Sequence, residues 1–319
     1  MKKKLVVISG PTSAGKTGIS IRLAKAINGE IISADSMQVY RHMDIGTAKI
    51  TPEETEGIQH HLIDCLNPDE EFNVSVFKQM ALEAMEEIYN RGRIPIIVGG
   101  TGFYIQALLK NVTFEDEIKS DGYREQLESM ASENGGMDVL YEKLLSEDPD
   151  AAKAIPKQNI KRVIRALEFK HYHGYCISEH NRNEAAKESD FEYAYFVLEK
   201  NRDDLYKGIE ERVDIMMQKG LLNEIINLKE LGYSDCTVAM QGLGYKQLLS
   251  YLDGNCTLDE AVYRIKLETR HFAKRQMTWF RREKDCIFFN KSIQSDDEIL
   301  KQMCEILKNK NIILGEIYE

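Results

Sequence analysis

Gly10-Pro11-Thr12-Ser13-Ala14-Gly15-Lys16-Thr17 constrains this chain more than any other stretch. It matches the phosphate-loop pattern of glycine, four free positions, glycine, lysine and serine or threonine. The flanks agree: Lys4 to Ser9 is a short apolar run suited to a buried strand, and Thr17 to Ile27 carries helical spacing. In a strand, loop and helix in this order, backbone N–H groups and the positive end of the helix surround a di- or triphosphate. Lys16 supplies a point charge to the outer phosphate, and the Thr17 hydroxyl is a candidate magnesium ligand. A plain glycine-rich turn beside a helix is the competing reading, which the ordered strand, motif and helix disfavour.

At 319 residues the chain exceeds the ~100–200 residues of a typical domain, so a core with an insertion, or two domains, is expected. A hydrophobic content of 43% is ample for a packed core. No run of ~18 apolar residues occurs, and Met1-Lys2-Lys3-Lys4 leads into the first strand without a cleavage pattern. A soluble cytoplasmic protein with no membrane partner, monomeric, is therefore expected. The six cysteines include no Cys-x-x-Cys pair, which argues against a zinc ribbon or a disulfide framework. The net charge of -10 speaks against a general nucleic-acid binder, but the local distribution of charge decides such contacts.

A second apolar run, Glu30 to Ser33, delivers Asp35-Ser36-Met37-Gln38 to the sheet end where ligands of open parallel sheets bind. Asp35 is a candidate base there, or else a helix cap or magnesium support. His60 to Asp64 reads as a strand, and Ser75 to Asn90 as a packing helix. Arg93 to Val98 reads as a central strand ending in Gly99-Gly100-Thr101-Gly102. A nucleotide hydrolase would often carry a magnesium aspartate at such a position, so these glycines weaken that reading. The Thr101 hydroxyl either donates to a ligand or caps the next helix.

Residues 114–190 read as a helical insertion in an α/β core formed by 1–113 and 191–319, because strand signals resume only at Tyr193 to Leu198. Lys153, Lys157, Lys161, Arg162, Arg165, Lys170 and Arg182 outnumber Glu168 and Glu179 within it, which suggests either polyanion contact or ordinary surface. Arg202 to Lys219 is a helix. A long helix then opens with the capping box Thr257-x-x-Glu260, and an amphipathic helix and a short strand follow Ser295. At ~100° per residue, Arg264, His271, Arg275 and Arg282 share one arc of the long helix, and Arg270, Lys274 and Arg281 form a second stripe. Such stripes suit phosphate backbone, or else pair with carboxylates to tie the helix to its own core.

Several stretches together resemble the tRNA dimethylallyltransferase family, also called tRNA isopentenyltransferases: GPTSAGKT (10–17), ADSMQVYRHMDIGTAK (34–49), HHLID (60–64), VGGTGFYIQALL (98–109), KRVIRALE (161–168), MQGLGYKQL (240–248) and TRHFAKRQMTWFRR (269–282). The resemblance covers most of the chain, least over 113–158 and the tail. It implies a phosphate-loop NTPase- or kinase-like parallel α/β sheet core with an inserted helical domain that contacts tRNA. The implied activity moves a dimethylallyl group from dimethylallyl diphosphate, with magnesium, to N6 of adenine 37 beside the anticodon. By resemblance, Arg212 joins residues 10–17 on the diphosphate, Thr101 bonds the bridging oxygen and Asp35 takes the N6 proton. The resemblance also places Ser36, Met37, Gln38, Arg124, Lys161, Arg162, Arg165, Gln241, Gly244, Tyr245 and Lys246 at the RNA. Without the C-terminal zinc finger of eukaryotic relatives, the chain looks like the bacterial form. A small-molecule kinase using ATP, or a nucleotide-dependent RNA-binding protein, are the alternatives.

Overall fold

The structure, a computed structural model, describes residues 2–114, 121–233 and 235–313. Its strands are β1 (Lys3–Ser9), β2 (Gly29–Ser33), β3 (His60–His61), β4 (Ile94–Gly99), β5 (Phe191–Glu199) and β6 (Cys286–Asn290). They form one parallel sheet in the spatial order β3-β2-β4-β1-β5-β6. Parallel strands covered on both faces need apolar side chains on both, which is why β1 reads as an unbroken apolar run. Leu5 and Val7 enter one core, while Val6 and Ile8 enter the other.

Two compact units emerge, Met1–Leu109 with Asp190–Glu319, and Lys110–Ser189. The first contains the whole sheet. Its helices before the break are α1 (Lys16–Ile27), α2 (Val74–Asn90) and α3 (Gly102–Leu109). The second unit is helical: α4 (Tyr123–Ser132), α5 (Gly136–Glu147), α6 (Pro149–Ala154), α7 (Ile160–His173) and α8 (Ile177–Ala186). Leu127, Leu140, Leu144, Val163, Ile164 and Leu167 fill its core. The buried Asp148 ties it together, capping α6 through Ala151 N and accepting from Ser178 Oγ at 2.6 Å.

After the break, the first unit adds α9 (Arg202–Gln218), α10 (Leu221–Glu230), α11 (Tyr245–Leu252), α12 (Leu258–Phe280) and α13 (Asp296–Asn309). The expected capping box opens α12, with Thr257 Oγ1 accepting from Glu260 N and the Glu260 carboxylate accepting from Thr257 N at 2.9 Å. The strand expected over His60 to Asp64 stops after His61, because Leu62 and Asp64 take φ values of 61° and 54°. Strand β6 has no counterpart in the sequence reading. The short strand expected after α13 lies outside the described residues.

Candidate active site

Strand β1 delivers Gly10 to Gly15 to the sheet's carboxyl end, and α1 begins at Lys16. The Lys16 ammonium donates to the carbonyls of Gly10 at 3.0 Å and Pro11 at 2.8 Å. Ala14 N closes a turn onto Pro11 O at 3.2 Å, and Ser13 sits at a φ of 63°. The Ser13 hydroxyl is buried and has no partner among the described residues. An unpaired buried hydroxyl costs about 1–3 kcal/mol, so this loop is shaped for an oxygen that the protein does not itself provide. Thr17 follows on the exposed first turn of α1. No group of three or more His, Cys, Asp or Glu among the described residues could hold a metal ion. A metal here would depend on Thr17 and on the oxygens of a bound phosphate.

Asp35 follows β2 on the same rim. Its Oδ1 accepts from Met37 N at 2.9 Å and from Gln38 N at 3.4 Å, so one carboxylate oxygen shapes the turn. Thr101 N donates to Ala34 O at 3.4 Å, which sets Thr101 beside the residue preceding Asp35. The Thr101 carbonyl, not its hydroxyl, starts α3 by accepting from Tyr104 N and Ile105 N, and the hydroxyl makes no hydrogen bond among the described residues. Burial lowers the Arg212 pKa, against the pull of Asp35. Burial also lowers that of Lys16, to about 8, with Arg212 adding to the shift and Asp35 opposing it. The structure therefore brings loop 10–17, Asp35, Thr101 and Arg212 to one rim.

A cleft of about 870 Å³ opens beside Thr17 and Arg212, walled by loop 44–51 and α9. Ile45, Ile50 and Met216 make part of its lining apolar. Glu224 on α10 fixes that loop: its carboxylate accepts from Asp44 N at 2.8 Å, Ile45 N at 2.6 Å, Gly46 N at 3.0 Å and the Tyr245 hydroxyl at 2.7 Å. A Cβ on residue 46 would sit 2.6 Å from the Tyr245 ring, so glycine permits this packing.

Of four residues expected at RNA, Tyr245 and Gly244 are buried, whereas Gln38 and Met37 are half-buried and also make contacts inside the unit. Tyr245 is 1% exposed and supports loop 44–46, leaving no face for a ligand. Gly244 is buried, its N–H held by Gln247 Oε1 at 2.8 Å. Gln38 uses its amide inside the unit, accepting from Ser33 Oγ at 3.0 Å and donating toward the carbonyls of Thr47 and Ala48. Met37 packs against Gly242. Half-buried Ser36 makes no side-chain bond among the described residues, whereas exposed Gln241 donates to Asp235 O and exposed Lys246 pairs with Glu268 at 2.7 Å.

The bases of α12 divide within the second stripe. Arg270 pairs with Glu210 at 2.8 Å and lies 5.7 Å from the Tyr206 ring centre, so it ties α12 to α9. Arg281 is 69% exposed and only loosely paired with Glu199 at 3.6 Å. Lys274, Arg264, His271, Arg275 and Arg282 are exposed and form no salt bridge among the described residues. In the helical unit, Lys157 pairs with Asp138, Arg182 with Asp150 at 3.0 Å, Lys153 with Asp150 at 3.3 Å and Lys170 with Glu147 at 3.8 Å. The local excess of base is thus partly answered by acids from earlier in the chain. Arg124 and Arg165 share Glu168, at 3.0 and 3.2 Å, and Lys161 and Arg162 stay exposed.

Sequence reasoning passed over Glu224 and Gln276. The signal for Gln276 was an amide in the buried stripe of α12, with Ala273 and Phe280 as neighbours.

An all-parallel sheet with a phosphate loop after β1 and charged groups gathered at its carboxyl rim defines a phosphate-loop α/β protein. Comparison with known proteins narrows this class. Residues 38–283 match the IPP transferase family. The tRNA dimethylallyltransferase of Lachnoclostridium phytofermentans is 56% identical over 310 residues, covering 97% of this chain and 99% of the relative. Among solved structures, a tRNA isopentenylpyrophosphate transferase from Bacillus halodurans superposes with a TM-score of 0.73 at 42% identity, covering 97% of each chain. A eukaryotic dimethylallyltransferase acting on tRNA reaches a TM-score of 0.82 at 32% identity, over 97% of this chain and 79% of its own. The chain belongs to the IPP transferase family and is a transferase of the tRNA dimethylallyltransferase type.

Proposed function

We propose that this chain transfers a dimethylallyl group from dimethylallyl diphosphate to N6 of adenine 37 in tRNA, releasing diphosphate. The observation that carries the reading is the meeting of Asp35, Thr101 and the Lys16 loop at one rim, with the Thr101 hydroxyl unengaged. The donor's diphosphate lies in loop 10–17, where it gives the buried Ser13 hydroxyl a partner. Lys16 and Arg212 neutralise charge that grows on the leaving oxygens. The apolar lining at Ile45, Ile50 and Met216 receives the five-carbon chain. Thr101 donates to the bridging oxygen as the carbon–oxygen bond breaks and the N6–carbon bond forms. The bonding pair departs with diphosphate, and the N6 proton passes to the Asp35 oxygen that the backbone leaves unheld. Magnesium, held by the Thr17 hydroxyl and the donor's own oxygens, would supply further charge neutralisation.

An exocyclic adenine amine reaches a rim site only when the base leaves its stack, so the enzyme extrudes it. Exposed Lys161, Arg162 and Arg165, with Arg124, serve the RNA from the helical unit, and Ser36, Gln241, Lys246, Lys274 and Arg281 serve it from the sheet unit. No helix among the described residues is long and apolar enough to cross a membrane. As a tRNA-modifying enzyme it acts in the cytoplasm.

Two measurements test the reading. Unmodified tRNA incubated with dimethylallyl diphosphate and magnesium gains the mass of one dimethylallyl group; ADP formed from ATP without tRNA would instead favour a kinase. Asp35→Asn keeps donor and tRNA affinity while the single-turnover rate falls by ~10²–10⁴. Recovery of that rate at high magnesium would make Asp35 a metal support and refute its role as base.

A further inference from the structure

The buried stripe of α12 runs through Ala261, Ile265, Thr269, Ala273, Gln276 and Phe280. Two of these side chains are polar, and they are satisfied differently. Thr269 Oγ1 donates to Ile265 O at 2.7 Å, within its own helix. Gln276, 7% exposed, engages both ends of its amide elsewhere: Oε1 accepts from Thr12 N at 3.1 Å and Nε2 donates to Gly100 O at 3.0 Å. Thr12 belongs to the phosphate loop, and Gly100 immediately precedes Thr101. A Cβ on residue 100 would lie 2.2 Å from Nε2, so only glycine admits the amide at this distance. One turn further along α12, Trp279 meets Gly102 with similar closeness, a Cβ there falling 2.2 Å from the indole ring. The same helix thus braces the chain on both sides of Thr101.

We propose that Gln276 is a positioning residue for the transfer, clamping the loop that holds the leaving diphosphate at a set distance from the Thr101 hydroxyl. The inference rests on the role given to Thr101 above. The bridging oxygen gains charge only as its bond to carbon breaks, so a donor displaced from it lowers the rate and leaves ground-state affinity nearly unchanged. An apolar residue at position 276 leaves the Thr12 N–H and the Gly100 carbonyl without their shared partner and releases the two loops from each other.

The test is a double-mutant cycle between Gln276 and Thr101, read as single-turnover rates at saturating donor and tRNA and well below each variant's thermal midpoint. Gln276→Met, which matches the length of glutamine without its polar ends, is expected to slow transfer by roughly 10- to 100-fold. Donor affinity should stay within about threefold. In the Thr101→Ala background the same exchange should cost less than about twofold, because the group it positions is already gone. Gln276→Glu keeps the acceptor for Thr12 N and loses the donor to Gly100 O; its slowing should vanish in the same background, which covers the case of a poorly folding methionine variant. Losses that multiply, or a Gln276→Met enzyme at the wild-type rate, would overturn this inference alone. Thr101→Ala reacting at full rate would overturn the Thr101 assignment as well.

Discussion

Lys16 gives the site a pH signature. Burial is the main cause of its lowered pKa of about 8, with Arg212 adding to it and Asp35 opposing. Below that pH the ammonium is present to meet a diphosphate; above it, binding must first restore the proton. Donor affinity should therefore be level between about pH 7, where the diphosphate's own last ionisation is complete, and 8, and then weaken toward about tenfold per pH unit. Lys16→Arg should flatten the profile, since a guanidinium keeps its charge throughout. Calorimetric titration of the donor checks this, and a break only at the ordinary lysine value of 10.5 would contradict it. The residues of loop 10–17 were legible because the motif is contiguous and each member acts near its neighbours. Tyr245 and Gln276 were not. Tyr245 reads as an RNA contact in its motif, yet its hydroxyl faces Glu224, 21 positions away, and Gln276 reaches Thr12 across 264 positions. A side chain that bonds a partner remote in the chain leaves no spacing to detect.

Among the elements, α12 shows how a helix can serve both readings offered for its charge. Its α9-facing residues Lys266 and Arg270 pair with Asp214 and Glu210, and Ala273 packs with Leu205 and Ile209. Lys274, Arg281 and Arg282 remain exposed. Replacing these three with alanine should weaken tRNA binding and reduce its salt slope by about 0.7–0.9 for each phosphate left without its cation. Arg270→Ala should instead lower the thermal midpoint and leave the slope intact. Filter binding of tRNA across a salt series, alongside melting curves, separates the two effects; a full slope in the triple variant would move the RNA interface elsewhere. The strand runs at β1, β2, β4 and β5 were legible because sheet burial on both faces demands unbroken apolar residues. The early end of β3 was hidden, since Leu62 and Asp64 adopt positive φ without any glycine to announce it.

At the scale of the molecule, a net charge of -10 coexists with a basic helix because acid and base are distributed unevenly along the chain, and some acids are held in internal pairs. Glu30 is the extreme case. It is the second residue of β2, at the opposite end of the strand from Asp35, and its carboxylate has no exposed surface. Arg91 grips it with Nε at 3.0 Å and Nη2 at 2.8 Å, Arg93 adds a hydrogen bond at 3.0 Å and His61 Nε2 one at 2.7 Å. Burial alone would raise its pKa, but hydrogen bonds and charge from Arg91 and His61 more than offset this and hold it at about 2. Because the folded value lies below the unfolded one, the Glu30 contribution is complete above pH 4.5 and drains away as pH falls toward 2. Glu30→Ala removes the shared partner of Arg91, Arg93 and His61; because both arginines are more than a third exposed and can rehydrate, the loss is about 1–3 kcal/mol, below that of a fully buried pair. Denaturant unfolding at neutral pH should show that loss, and the gap between the variant and the wild type should narrow as pH falls below 4.5. Transfer rates per folded molecule should match the wild type within about twofold, because the reacting groups gather at the far end of the strand, where a misplacement would be felt as rate. A variant as stable as the wild type would show the cluster to be no better than neutral, and one that folds fully yet transfers slowly would tie this end of the sheet to the chemistry at the other.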